Sequence, residues 1–143
     1  MNSRILDLYA TYKRRPTNDL VDLAKRASHN IYTRLKNSYN FSENSAAETT
    51  IGIASKFFFA DGKIADNEYA LLVQVFTGSV PNNYDIVSQV REIGAQYDER
   101  KIKAFLANDS ILKQYCAELG FAICAIDGQI SIKEEDFLDY LTD

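Results

Sequence analysis

Four carboxylates sit at matched positions in two copies of one phrase. Asp61 and Glu68 frame "DGKIADNE", Asp127 and Glu134 frame "DGQISIKE", and each copy reads Asp-Gly-x-Ile-x-x-x-Glu. Carboxylate oxygens without clustered histidine or thiolate suit hard cations, Ca2+, Mg2+ or Mn2+, rather than zinc. Asp61 and Asp127 each end an apolar helical run, so each puts a negative charge where the helix macrodipole disfavours it by roughly 0.3–1 kcal/mol. A bound cation, a neighbouring lysine or Asx-type hydrogen bonding within the turn offsets that charge, and the sequence leaves all three open. Glycine, isoleucine and glutamate share the spacing of an EF-hand loop. The first and third ligand positions of such a loop, however, fall on Phe57 and Phe59 in one copy and on Ile123 and Ala125 in the other, so neither copy is an EF-hand.

The same residues have a purely structural use. Gly62 and Gly128 follow the last helical residues, where glycine supplies the left-handed conformation that ends a helix. Ser131-Ile132-Lys133-Glu134 reads as a capping box, which accounts for Glu134 without a ligand. In the first copy Ala65 stands where that serine would, so Glu68 has no such explanation. Packing of the two turns about a pseudo-twofold axis, with Ile64 facing Ile130, would bring the acidic pairs together.

The elements that must position these turns are helices. Apolar residues recur at helical spacing almost throughout, and no comparable segment alternates with period two. A first helix from Ser3 presents Ile5, Leu8, Tyr9 and Tyr12 and stops at Pro16. A second, capped by Thr17 or Asn18, carries Leu20, Leu23, Ala24, Ala27, Ile31 and Leu35 and runs into "NSYNFSENS", the best linker candidate. "AAETTIGIASKFFFA" and "SILKQYCAELGFAICAI" are apolar nearly all round and therefore buried, and both end in Asp-Gly. Between them lie "NEYALLVQVF", closed by Gly78, then "NNYDIVSQVREIGAQY" and "ERKIKAFLA", and "SIKEEDFLDYLTD" finishes the chain. Gly52 and Gly120 sit inside the two buried helices, where glycine costs roughly 1 kcal/mol against alanine, and a close crossing of the pair would offset it. The expectation is an all-α compact bundle of about seven to eight helices with an internal pseudo-twofold repeat. It spans residues 1–143 as a single domain, with 1–40 a basic N-terminal helical extension and 42–143 the core.

A chain of 143 residues, 46% hydrophobic and 25% charged, has enough material for a real core. It has no run long enough to insert in a membrane and no signal peptide, so it reads as cytoplasmic. Cys116 and Cys124 are about 12 Å apart on one helix, too far for a disulfide, and read as buried thiols. Residues 1–40 carry eight basic against three acidic side chains, the remainder eight against seventeen. Such an asymmetry docks the basic segment onto its own domain or steers a basic partner onto the acidic part. Lys13, Arg14, Arg15, Lys25 and Arg26, with Tyr9 and Tyr12 for stacking, would carry nucleic-acid binding, but the acidic remainder opposes it. His29, the single histidine, lies opposite its helix's apolar face. There is no Ser-His-Asp set, no phosphate-cradling glycine loop and no Cys/His metal spacing, so the chain reads as a non-enzyme.

"FFADGKIADNEYALL" and "AICAIDGQISIKEEDF" resemble the tandem turns of the TerB-like family of tellurite-resistance domains, which includes the N-terminal domain of a DnaJ-like membrane co-chaperone. The resemblance covers about residues 42–143. It implies a compact bundle of about seven helices with internal pseudo-symmetry, an acidic surface suspected of binding metal ions, and a role in stress response through partner proteins. By motif position Asp61, Glu68, Asp127 and Glu134 inherit the metal-site role, while Ala65 and the basic leading segment depart from the pattern. Two functional expectations follow. One is a TerB-like stress-response protein binding a divalent cation at its two turns. The other is a metal-free acidic helical adaptor that docks a basic or amphipathic protein partner; whether a partner is a second copy, making a homo-oligomer, stays open.

Overall fold

A computed structural model gives the protein's structure and describes residues 3–58, 66–79, 92 and 99–142; for helical residues 58, 66–69, 72, 99, 101 and 102 it describes the backbone alone. All seven elements among the described residues are helices. They are α1 (Ser3–Lys13), α2 (Thr17–Ser38), α3 (Glu43–Phe58), α4 (Asp66–Phe76), α5 (Glu99–Leu106), α6 (Ser110–Asp127) and α7 (Ile132–Thr142). The all-α class expected from periodicity is what the chain adopts. Of the helix expected over "NNYDIVSQVREIGAQY" only Glu92, which is helical, is described; the rest of that stretch and the first Asp-Gly turn lie outside the described residues, and with them the pseudo-twofold pairing of Ile64 with Ile130.

α6 is the central element, packing against α2 most extensively and also against α1, α3 and α7. Its unbroken buried run from Leu119 to Ala125 explains why it is apolar nearly all round. α2 buries the expected stripe of Leu20, Ala24, Ala27, Ile31 and Leu35 and adds Val21, Ser28 and Tyr32, because it also meets α3 and α4. The basic leading segment therefore belongs to the common core. Three ion pairs join it to the acidic remainder: Arg4 to Asp139, Arg34 to Asp109 and Lys36 to Glu43. Internal docking of this kind is the use of the charge asymmetry that the structure displays.

The helix ends follow local chemistry. Pro16 occupies the N-cap position of α2 with no side-chain cap, so Thr17 and Asn18, expected as caps, are already helical. "NSYNFSENS" is not a loose linker. α2 runs on to Ser38, Asn40 takes a left-handed conformation at φ 58°, and Ser42 accepts a hydrogen bond from the Ser45 amide at 3.1 Å as α3 begins. Tyr39, Phe41 and Phe105 pack edge to face across this short connection, with centroids 5.3–6.3 Å apart. α6 ends as expected: Gly128 has φ 80° and its amide donates to the Cys124 carbonyl at 3.0 Å.

At Gly120 α6 closely approaches α3 and α7. A Cβ built there would lie 2.5 Å from Cε1 of Phe57 on α3 and 2.9 Å from Cδ2 of Leu138 on α7. The ring of Phe57 and the methyl of Leu138 thus pack on bare backbone, which is why a glycine stands in mid-helix despite its propensity cost.

Candidate functional site

The four candidate cation ligands have different fates. Asp61 lies outside the described residues, and Glu68 is described in backbone alone, as part of α4. Asp127, the last residue of α6, is exposed, whereas Glu134, in the first turn of α7, is buried. Both Glu134 oxygens are engaged. Oε1 accepts the Ser131 amide at 2.9 Å while Ser131 Oγ accepts the Glu134 amide at 3.1 Å, completing the expected capping box. Oε2 accepts the Cys124 thiol proton at 2.9 Å. Burial first, then the neighbouring Glu134 and Asp127 carboxylates, hold that thiol well above its ordinary pKa, so Cys124 is a protonated, unreactive thiol. The phenol of Tyr9 on α1 is raised by burial and by the negative forms of Cys124, Asp127 and Glu134. The second turn thus gathers Asp127 and Glu134 around common neighbours, but it spends Glu134 on structure. Among the described residues no group of three or more histidine, cysteine or acidic side chains is arranged to hold a metal ion.

If Glu134 serves the turn, replacing it has an ion-independent cost. Glu134→Ala leaves the Ser131 amide and the Cys124 thiol without their acceptor and is expected to lower stability by about 1–3 kcal/mol, with Glu134→Gln losing less because its amide oxygen still accepts. Urea denaturation with and without divalent cation checks this. A loss seen only when the ion is present would return Glu134 to the ligand set.

The basic residues singled out for nucleic acid do not form a stacking platform. Lys13 lies over the Tyr9 ring at 5.7 Å and Arg15 over Tyr12 at 5.2 Å, while Tyr9 is buried and Tyr12 stacks parallel on Phe121 with centroids 5.0 Å apart. The ring faces a base would need are taken. His29 is exposed as expected, yet it ties α2 to the end of α4. Its Nδ1 is 3.1 Å from the Ser79 carbonyl, so that nitrogen carries the proton, and Nε2 accepts from the Thr33 hydroxyl at 3.4 Å.

Two features escaped the sequence reading. The first is a buried polar cluster at the start of α6. Asp109, 6% exposed, accepts the Leu112 amide as N-cap at 3.0 Å, and its other oxygen accepts from Arg34 Nε and from the Tyr39 hydroxyl, both at 2.8 Å. Burial pushes the Asp109 carboxyl up, but hydrogen bonds from Arg34, Leu112 and Tyr39 outweigh it and hold the group down at about 2. An aspartate directly before an apolar helical run is a cap signature, and that was the available signal.

The second is a groove of about 400 Å³ along α6 between α1 and α7. Ala117 and Phe121 form its floor, Leu8 and Tyr12 of α1 one wall, and Leu141 and Thr142 of α7 the other. Leu8 is 37% exposed although it belongs to the apolar stripe of α1. Lys113 and Glu118 line the edges. Lys113 Nζ sits 4.6 Å from the ring centroid of Tyr140, on the α7 side. The Tyr12 phenol is raised by burial and then by the Glu118 carboxylate. Beside the groove Arg4 on α1 pairs with Asp139 and donates to both oxygens of Thr142 on α7, an exposed link between the two helices. No helix among the described residues is long and apolar enough to cross a membrane. Comparison of the chain with protein-family models, with curated proteins and with solved structures finds no match.

Proposed function

We propose that this chain is a non-enzymatic helical interaction module whose α1/α6/α7 groove receives the apolar face of an amphipathic partner helix. The observation that carries the reading is the open groove itself, with Leu8 left 37% exposed at its rim beside the buried Ala117, Phe121 and Leu141. An enclosed cavity of this size would suit a small molecule. An open trough between two helices suits a ridge of side chains recurring at i, i+3, i+4 and i+7. The role that the TerB-like resemblance implies, stress response through partner proteins, agrees with a docking module. Ion capture at the Asp-Gly turns is the weaker reading, because Glu134 is committed to its cap and to Cys124.

A fluorescein-labelled helical peptide with leucines at that spacing is the probe. Fluorescence polarisation should show saturable binding to the full chain, weakened about tenfold by Leu8→Glu. Ile132→Glu, at an exposed position outside the groove, should leave it unchanged. Equal affinity for all three proteins removes the groove from the account. The same reading predicts that Ca2+, Mg2+ or Mn2+ leaves the melting temperature of chelator-stripped protein unchanged. A rise that Asp127→Asn abolishes would restore the cation reading instead.

A further inference from the structure

We propose that α1 is a hinged strap, which opens as a unit about Arg14–Pro16 while the rest of the bundle stays folded, and that an occupant of the groove holds it shut. The second half rests on the docking role proposed above; the first does not. α1 makes its extensive contacts with α6 and α7, and not with α2, the helix that follows it in the chain. The packing of α2 on α3, α4 and α6, and of α6 on α3 and α7, closes without it. Between α1 and α2 the chain turns through Arg14 and Arg15, and Pro16 is extended, at φ −59° and ψ 148°. Proline has no amide to carry the hydrogen-bond ladder of α1 onward, so α1 and α2 are separate hydrogen-bonded units joined by a short hinge.

Little holds α1 down. Of its 11 residues only Ile5 and Tyr9 are buried, with Tyr12 stacked on Phe121 beside them. The Arg4–Asp139 pair is half exposed at both ends, and pairs of that kind contribute little. Lys13 lies over Tyr9 and Arg15 over Tyr12, contacts between near neighbours in the chain that a lifted α1 can keep, so they do not tie it to the core. Against docking stands the Tyr9 hydroxyl, which is buried with no hydrogen-bond partner. Water satisfies that hydroxyl as soon as α1 lifts, so its burial opposes the docked state. A helix this short is marginal in water by itself, and once lifted α1 therefore exposes its amides. Leu8 and Tyr12 are the α1 wall of the groove, so an occupant that touches them binds the closed form and shifts α1 toward it.

Amide hydrogen exchange of the full ¹⁵N-labelled chain, read by NMR, tests both halves. Amides of residues 8–12 should exchange together, at least about tenfold faster than those of residues 119–125 on α6. Tyr9→Phe removes the unpartnered hydroxyl and should slow exchange in α1 about tenfold. The unlabelled leucine-ridge peptide, at about ten times its Kd, should slow it by a similar factor in the parent chain. Protection of residues 8–12 equal to that of residues 119–125, rates graded along α1 as in end fraying, or faster exchange in Tyr9→Phe overturns the strap. Saturable groove shifts that leave α1 exchange unchanged overturn closure by an occupant, with docking left standing. Absence of saturable shifts overturns the docking role and closure with it, while the opening of α1 stands or falls on the peptide-free rates.

Discussion

Asp109→Ala is expected to lower the stability of the fold by about 3 kcal/mol, which for a chain of this size shifts the melting temperature by about 10 °C. The substitution deletes the α6 N-cap and also strips the acceptor from Arg34 and Tyr39, which are anchored to one carboxylate oxygen. Loss of a cap alone costs about 1 kcal/mol. The remainder comes from leaving a guanidinium and a phenol partly buried without their partner, and removing one member of a buried pair is the expensive way to break it. Asp109→Asn keeps an acceptor for the cap and should lose less. The pH dependence has a definite sign. Because hydrogen bonds hold the folded carboxyl at about 2, below its ordinary value of 3.8, its contribution of about 2 kcal/mol is fully present above about pH 4 and is lost as the pH falls from there toward 2. Asp109→Asn should flatten that part of the acid limb. Urea denaturation between pH 7 and pH 2 measures both effects, and an alanine variant within 0.5 kcal/mol of the parent, about the scatter of surface substitutions, would contradict the network's role.

Gly120→Val carries the second large effect, a loss of about 3 kcal/mol. Any Cβ at this position enters the space of Phe57 and Leu138, and overpacking of this kind costs roughly 1–3 kcal/mol, more when the branched side chain cannot turn away. Gly120→Ala should lose less, because the gain in helix propensity of about 1 kcal/mol offsets part of the clash. The contact is specific, so the variants are coupled. In a double-mutant cycle, Phe57→Leu should relieve part of the Gly120→Val loss, whereas additive losses would mean the strain falls elsewhere.

How much of this was legible in the sequence varies with the range of the interaction. Local signals read correctly: the helical period, the Gly128 terminus and the Ser131–Glu134 box depend on residues within one turn of each other. The crossing at Gly120 was half legible, because an unexplained mid-helix glycine announces a close neighbour without naming Phe57. The Asp109 cluster was not, since Asp109 lies far along the chain from Arg34 and Tyr39 and only the packing of α2 on α6 brings it to them. The groove was hidden for a related reason. Leu8 and Tyr12 read as core because they fall on the apolar face of α1, and nothing local shows that α6 and α7 cover only part of that face. The acidic pairs were the loudest signal in the sequence, yet in the described copy Glu134 is consumed by helix capping and a thiol, uses that need no ligand.

The central claim is that partner recognition resides in the α1/α6/α7 groove and not at the Asp-Gly turn. The most direct measurement is a ¹⁵N–¹H titration of the full chain with the unlabelled leucine-ridge peptide. The account predicts progressive, saturable shifts at Leu8, Tyr12, Ala117 and Phe121, with Asp127–Glu134 unmoved. Shifts concentrated at Asp127–Glu134, with the groove silent, would contradict it.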